Sequence, residues 1–294
     1  MYSQIAANKR KTVFLMLFFV LIIGGLAYGG GLYLGDFTIT IGALIGSLIY
    51  AGISYFAASK AALAFNGAKE IQKSDNPRLY RTVENLAITE GMPMPSVYVI
   101  QDPGMNAFAT GRDPKHASVA ITTGLLDALE DAELEGVMAH ELGHIKNYDI
   151  RVSMIVFGLV GVVSILADIL LRISIFGGGD REEGGNNNIV MVIVGIAAVI
   201  LAPLIAGLVQ AAISRKREYL ADATGALTTR YPEGLASALE KIKAGSSVTS
   251  RQNTSTAHLF FANPLKGKSF SAMFSTHPPV NERVARLRGM IDKV

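Results

Sequence analysis

The residues of this chain whose types and spacing could do chemistry form the run His140-Glu141-Leu142-Gly143-His144. Two imidazoles at i and i+4 lie one turn apart on a single helix face, where they can share a zinc ion. The intervening Glu141 is then placed to take a proton from the water that such an ion activates, which is a hydrolase site in outline. The pentapeptide is degenerate, so its surroundings must decide whether it holds metal. A catalytic zinc needs a third protein ligand and one open position. The chain contains no cysteine, so that ligand must be His, Asp or Glu. A disulfide framework, a thiolate zinc site and a cysteine nucleophile are all excluded.

The chain around this run has 294 residues, 50% hydrophobic and only 17% charged, with a mean hydropathy of +0.35. That balance is too apolar for an ordinary soluble domain and predicts a membrane protein with the lipid bilayer as its partner. The net charge of +3 does not point to nucleic acid. The basic residues cluster beside apolar runs, where retention on the cytoplasmic side accounts for them.

Four apolar runs are long enough to cross a hydrocarbon core of about 30 Å. They cover roughly 13–34, 37–58, 152–176 and 189–213. Lys9, Arg10 and Lys11 precede the first, which is too long for a signal-peptide core and is followed at once by a second, so it reads as a retained anchor. Placing Asn8-Lys9-Arg10-Lys11 inside returns Lys60 through Asp149 to the cytoplasm, and two further crossings return Ser214-Arg215-Lys216-Arg217 there. Both termini and the His-Glu-His run then face the cytoplasm. The chain divides into a membrane hairpin at 1–60, a polar segment at 61–150, a second hairpin at 151–213 and a second polar segment at 214–294. Neither polar segment alone is large enough for a well-buried domain, so the two are expected to build one domain together. The fold class is mainly helical α+β: four transmembrane helices with a cytoplasmic domain containing a small sheet.

Within the first polar segment, Leu79, Val83, Leu86 and Ala87 recur at helical spacing over Leu79 to Thr89. Ser96 to Ile100 and Ala117 to Thr122 read as strands, with further strand and turn positions in Asn106 to Lys115. Asp131 suits an N-cap, and Glu133 and Glu135 suit the positive end of a helix dipole. The motif helix is expected from Ala132 to about Asn147, running directly into the third apolar run.

Glu218, in Arg217-Glu218-Tyr219-Leu220-Ala221-Asp222, is the candidate third ligand. His144 before the third run and Glu218 after the fourth would each stand about 8 to 9 Å from the bilayer edge. The bland alternative is a solvated Glu beside Arg217. Asp222, one turn beyond Glu218, can accept the free ring N–H of a ligand His. Asp149 suits the same role or the capping of a helix that enters the membrane. Gly143 signals close approach by another backbone or by substrate, or is simply tolerated. His116 and Lys115 form a charged, solvated turn, and His258 lies beside Leu259-Phe260-Phe261 in a Ser/Thr-rich region. That region, Gly245 to Ala257, reads as a mobile polar linker or as a lid.

The run His140 to His144, followed by Glu218 and Asp222 and then by Thr276-His277-Pro278-Pro279 with Glu282-Arg283, resembles the M48 family of zinc metallopeptidases. Asn106-Ala107-Phe108-Ala109-Thr110-Gly111 is similar to the strand ahead of that family's zinc helix. The resemblance covers nearly the whole chain. It implies one zinc per chain on His140, His144 and Glu218, with Glu141 activating water for attack on a peptide carbonyl and then protonating the leaving amine. Asn106, Ala107, Phe108, Ala109, Thr110 and Gly111 would form a sheet edge that pairs with an extended substrate. His277 and Arg283 would stabilise the oxyanion, or serve structure through a proline-stiffened turn and a carboxylate pair. The implied activity is an endopeptidase of a bacterial cytoplasmic membrane that removes misfolded or damaged membrane proteins under stress. Two rivals are a metalloprotease with its motif at mid-bilayer and a catalytically silent scaffold or holdase. Asp131, Glu133, Glu135, Lys146 and Asp149 around the motif exclude lipid exposure at mid-bilayer, and the intact base and ligand set argue against the silent scaffold.

Overall fold

The computed structural model describes residues 2–34, 37–161, 215–250, 259–262 and 278–290. Two long helices come first, α1 (Tyr2–Leu34) and α2 (Thr38–Phe65). They pack antiparallel, with the Phe19 ring against Tyr50 and the Thr40 hydroxyl donating to the Ala27 carbonyl at 3.0 Å. Phe14, Leu17, Leu21, Ile49, Ile53 and Phe56 are exposed on this hairpin. Water penalises such a surface, whereas lipid does not. Among the described residues one helical stretch, Thr40–Phe65, is long and apolar enough to cross a membrane. The first expected run is helical within α1. α2 runs as one helix to Phe65, beyond the hairpin boundary expected at residue 60. Of the expected second hairpin, 152–161 are helical, and 162–213 lie outside the described residues.

A four-stranded mixed sheet follows, ordered β1-β2-β4-β3. Its strands are β1 (Ala68–Glu70), β2 (Ser96–Ile100), β3 (Ala107–Gly111) and β4 (Ala117–Thr122). β2 and β4 pair in parallel, while β1 and β3 add antiparallel edges. Val97 and Val99 of β2 and Val119 and Ile121 of β4 alternate into the main core, where β-branched side chains pack well on a pleated surface. α3 (Pro77–Thr89) closes over them with its buried stripe Leu79, Val83, Leu86 and Ala87. Asn76 caps it by accepting the Leu79 N–H at 2.9 Å, and Pro77 occupies the first turn, where it sacrifices no hydrogen bond.

The remaining described elements are α4 (Thr123–Ala128), α5 (Asp131–Lys146), α6 over 149–161, α7 (Arg215–Thr229), α8 (Pro232–Ala244) and α9 (Val280–Arg288). α5 is the central helix, packed against α3, β3, α7 and α8. Its N-terminus differs by one residue from expectation. Glu130 is the N-cap, its backbone N–H donating to the Glu133 carboxylate at 2.8 Å, while Asp131 opens the helix and takes the Arg78 guanidinium.

The other end of α5 falls where expected, at Lys146 with Asn147 as its C-cap, but the chain does not run straight on into the third apolar run: Tyr148 adopts φ +60° before α6 begins. α6 packs antiparallel on α2, with Met154 and Phe157 against Ala58 and Ala62 and the Tyr50 hydroxyl on the Gly158 carbonyl at 2.8 Å. The segment from Gly245 is also not the free linker expected, as far as it is described. Ser246 accepts the Met105 N–H at 2.7 Å, and the Ser250 N–H reaches Asp102 at 2.8 Å. Residues 251–257 lie outside the described residues.

Candidate metal centre

His140 and His144 project from the C-terminal half of α5 with their Nε2 atoms 3.1 Å apart. Glu218, in the first turn of α7, brings its carboxylate oxygens to 3.7 Å from His140 Nε2 and 3.6 Å from His144 Nε2. All three ligand atoms lie within 4.8 Å of one another. Small residues allow α7 to come this close. A Cβ on Gly225 would stand 3.0 Å from the His140 backbone nitrogen, and one on Gly143 3.4 Å from Ala221 Cα. Of the readings open for Gly143, the structure displays approach by another backbone. Gly225 has the tighter contact, and nothing in its local sequence singles it out.

Each imidazole is turned by a carboxylate behind it. Asp222 lies 2.9 Å from His140 Nδ1, and Asp149 lies 3.0 Å from His144 Nδ1. A carboxylate at Nδ1 holds the proton there and leaves the Nε2 lone pair free. Both Nε2 lone pairs therefore converge with a carboxylate oxygen on one small space, an arrangement that calls for a cation. A tetrahedral zinc with bonds of about 2.0–2.1 Å separates two nitrogen ligands by about 3.3 Å, close to the spacing found. The donor set fits zinc.

The proton affinities agree with this reading. Burial opposes charge on His144, but Glu218 and Asp149 outweigh it and push the imidazole up to about 9. A proton is thus drawn to the place where a metal would sit. Burial dominates at His140 and pushes it down to about 4, so it stays neutral. Asp222 is held well below the usual carboxylate range: burial works against its charge, but Arg283 and His140 more than compensate. Glu141 is buried, and loss of water pushes its carboxyl up to about 7, with His144 and the Ala109 backbone N–H pulling the other way. It is therefore poised to accept and return a proton near neutrality.

Residues 73–291 match the sequence profile described as peptidase family M48. The chain belongs to peptidase family M48. It is 53% identical over 291 residues to a protein of Tropheryma whipplei strain Twist named protease HtpX homolog, covering 99% of this chain and 98% of that one. A protein of the same name from Streptococcus uberis is 42% identical over 297 residues, covering 99% and 100%. The crystal structure of S. mikatae Ste24p aligns with a TM-score of 0.51 at 19% identity, over 98% of this chain and 67% of that chain, which shows a shared fold. Membership in M48 makes the protein a protease, and the His-His-Glu cluster is its candidate metal site.

The supports behind the M48 cluster come from different parts of the chain. In an unbroken helix Asp149, five residues beyond His144, would point about 140° away around the axis. The break at Tyr148 brings it back under the ring, so Asp149 both opens α6 and orients His144. Arg283, from α9, is 1% exposed and forks onto Asp222, Nη2 to Oδ1 at 2.7 Å and Nε to Oδ2 at 2.9 Å. Its Nη2 lies 3.4 Å from His140 Nδ1, on the side of the ring away from Nε2. Of the two roles weighed for Arg283, the structure displays the carboxylate pairing. His277 lies outside the described residues, as does His258. His116 is exposed, as expected, and bonded to Asp113 at 2.8 Å.

β3 is the sheet edge expected over the site, since its described strand partner is β4 alone. The Ala109 N–H reaches Glu141, and the Ala107 carbonyl accepts the Phe261 N–H at 2.7 Å. Asn106 is buried and does not face outward as a pairing residue would. Its amide fastens residues 259–262, donating to the Ala262 carbonyl at 2.7 Å and accepting the Ala262 N–H at 2.9 Å. Phe108 is fully buried against Phe260, and the Thr110 hydroxyl points at Met154. Gly111 closes the strand at φ +140°, where a Cβ would strike the His116 carbonyl. The Phe261 ring stands edge-on to His140 at 5.0 Å and beneath the Arg283 guanidinium at 4.8 Å. Sequence reasoning left Phe261 without a role. Its signal was an isolated apolar run within a polar stretch.

Proposed function

We propose that this protein is a membrane-embedded zinc endopeptidase that hydrolyses peptide bonds of misfolded or damaged membrane proteins at the cytoplasmic face of a bacterial cell membrane. The observation that carries the proposal is the convergence of the two Nε2 lone pairs and the Glu218 carboxylate beside a buried Glu141. His140, His144 and Glu218 would hold one zinc per chain. When bound, zinc supplies a Lewis acid that polarises the scissile carbonyl and makes water more acidic. Glu141 removes the proton from the attacking water as the oxygen bonds to the carbonyl carbon. It then delivers that proton to the leaving amide nitrogen as the C–N bond breaks. Beyond the positions that Phe261 and Glu141 occupy, from the Ala109 carbonyl onward, the outer edge of β3 would align an extended substrate by main-chain hydrogen bonds, which favours loose sequence preference. His277 is assigned as a donor to the developing oxyanion, and Arg283 holds Asp222 so that His140 keeps its orientation.

The exposed apolar surface of the α1–α2 hairpin supports the membrane setting, and the basic flanks at Lys9 to Lys11 and Arg215 to Arg217 support the orientation. The decisive test is the purified full chain in detergent, loaded with zinc and offered casein. Glu141→Gln should retain one zinc per chain and lose cleavage by about 10²- to 10⁴-fold. Wild-type cleavage by that variant would overturn the proposal, and so would zinc-bound wild type that never cleaves, the behaviour of a silent scaffold.

A further inference from the structure

Asn8 lies on α1 ahead of the first apolar run, where the sequence offers only a charge signal for orientation. Its side chain is nonetheless buried, 3% exposed, and engaged far along the chain. Nδ2 donates to Asp149 Oδ1 at 2.7 Å and to the Asn147 carbonyl at 2.8 Å. The other oxygen of the same carboxylate, Oδ2, faces His144 Nδ1 at 3.0 Å. Asp149 thus bridges a residue of the first helix and a ligand of the metal cluster. The Asn147 carbonyl is one that the end of α5 leaves without a helical partner, so a single amide group both caps the break and holds the carboxylate beyond it.

The surroundings make this grip specific. Tyr148, the residue with φ +60°, lies under the Lys9 ammonium at 4.6 Å, so consecutive residues of α1 hold consecutive residues of the break. Arg217 Nε stands 3.7 Å from Asp149 Oδ1, the oxygen that Asn8 also binds. A neutral amide adds a directed hydrogen bond there without a further charge. Unconstrained, Asp149 could rotate about its side-chain bonds and release His144 from the orientation that aims Nε2 at Glu218.

We propose that Asn8 is a positioning residue of the metal centre, acting through Asp149 on His144, and that the docking of α1 therefore sets metal retention. The proposal rests on reading His140, His144 and Glu218 as the metal ligands. The test is zinc release from the full chain in detergent to an excess of chromogenic chelator, with bound zinc and melting temperature measured for each variant. Loss of a direct outer-sphere partner costs about 10- to 100-fold in metal affinity. Asn8 acts one bond further out, so Asn8→Ala should release zinc roughly three- to tenfold faster. Ala6→Ser, exposed one half-turn away, should release it at the wild-type rate. On an Asp149→Ala background Asn8→Ala should add nothing, because its effect passes through that carboxylate. Should Asn8→Ala fail to fold, Asn8→Ser, too short to reach both partners, supplies the same comparison. Wild-type release from Asn8→Ala, or an undiminished effect on the Asp149→Ala background, overturns the proposal. A wild type that holds no stoichiometric zinc instead refutes the metal reading, and the proposal with it.

Discussion

The two imidazoles of the metal cluster are alike in chemistry and unlike in support. His140 is 1% exposed and is backed by Asp222, whose charge is met by a buried guanidinium from the C-terminal helix α9. His144 is 15% exposed and is backed by Asp149, which sits at the turn into α6 and is held by a neutral amide from α1. One half of the site is thus locked by a close fork of opposite charge within the M48 domain, while the other is held mainly by hydrogen bonds where α1 meets α6, with Arg217 standing off at 3.7 Å. The contrast separates stability from metal retention. A buried, closely forked ion pair that loses one partner destabilises the whole fold, whereas a carboxylate held mainly by hydrogen bonds chiefly orients what it touches.

The sharpest way to break this comparison is Arg283→Met. It leaves the buried Asp222 carboxylate without its guanidinium, so it should cost about 3–5 kcal/mol and appear as a large drop in melting temperature. Adding Asp222→Asn should recover most of that loss but not the zinc affinity, because His140 still lacks its charged acceptor. Equal melting temperatures for wild type and Arg283→Met would mean that the pair is not locking the domain. The next effect in size belongs to the other half. Asp149→Asn should weaken zinc binding by about 10- to 100-fold while leaving the metal-free melting temperature nearly unchanged. A variant that unfolds as readily as Arg283→Met would erase the distinction between the halves.

The smallest effect lies at the far end of α5 and serves as a reference. Glu133 accepts from Lys241 at 2.7 Å and from Ser237 at 2.6 Å, and although burial works against its charge, these donors hold its carboxyl below the ordinary value. A lowered carboxyl stabilises the fold fully above its unfolded value near 4.5 and loses that contribution as the pH falls through its folded value. Glu133→Gln should therefore lower the melting temperature by a few degrees at pH 7, and the two curves should converge as the pH falls below the unfolded value near 4.5. Parallel curves over that range would show that this ion pair contributes nothing.

What the sequence made legible was local. The His140 to His144 spacing, Asp222 one turn from Glu218, the alternation of β2 and β4 and the stripe of α3 all depend on neighbours within a few residues. Glu218 was found across a long gap because hydropathy placed it level with His144. Other features required knowing which distant segments meet. Asn147 suits a helix end, but nothing local shows that Tyr148 turns the chain through φ +60° and brings Asp149 back under His144. The value of Asn8 depends on a partner 141 positions away, and that of Gly225 on a neighbouring backbone. β1 and α4 are too short to carry a periodic signal. Within the expected Asn106 to Gly111 stretch, Ala107–Gly111 forms the end strand of the described sheet, but Asn106 fastens Ala262.

The central claim, that His140, His144 and Glu218 together hold one metal, is tested most directly by zinc-edge X-ray absorption on the purified full chain. The account predicts one zinc per chain with two imidazole nitrogens and a carboxylate oxygen among its nearest neighbours, and the loss of that oxygen signature in Glu218→Ala. A spectrum with fewer than two imidazoles, or one that Glu218→Ala leaves unchanged, would contradict it.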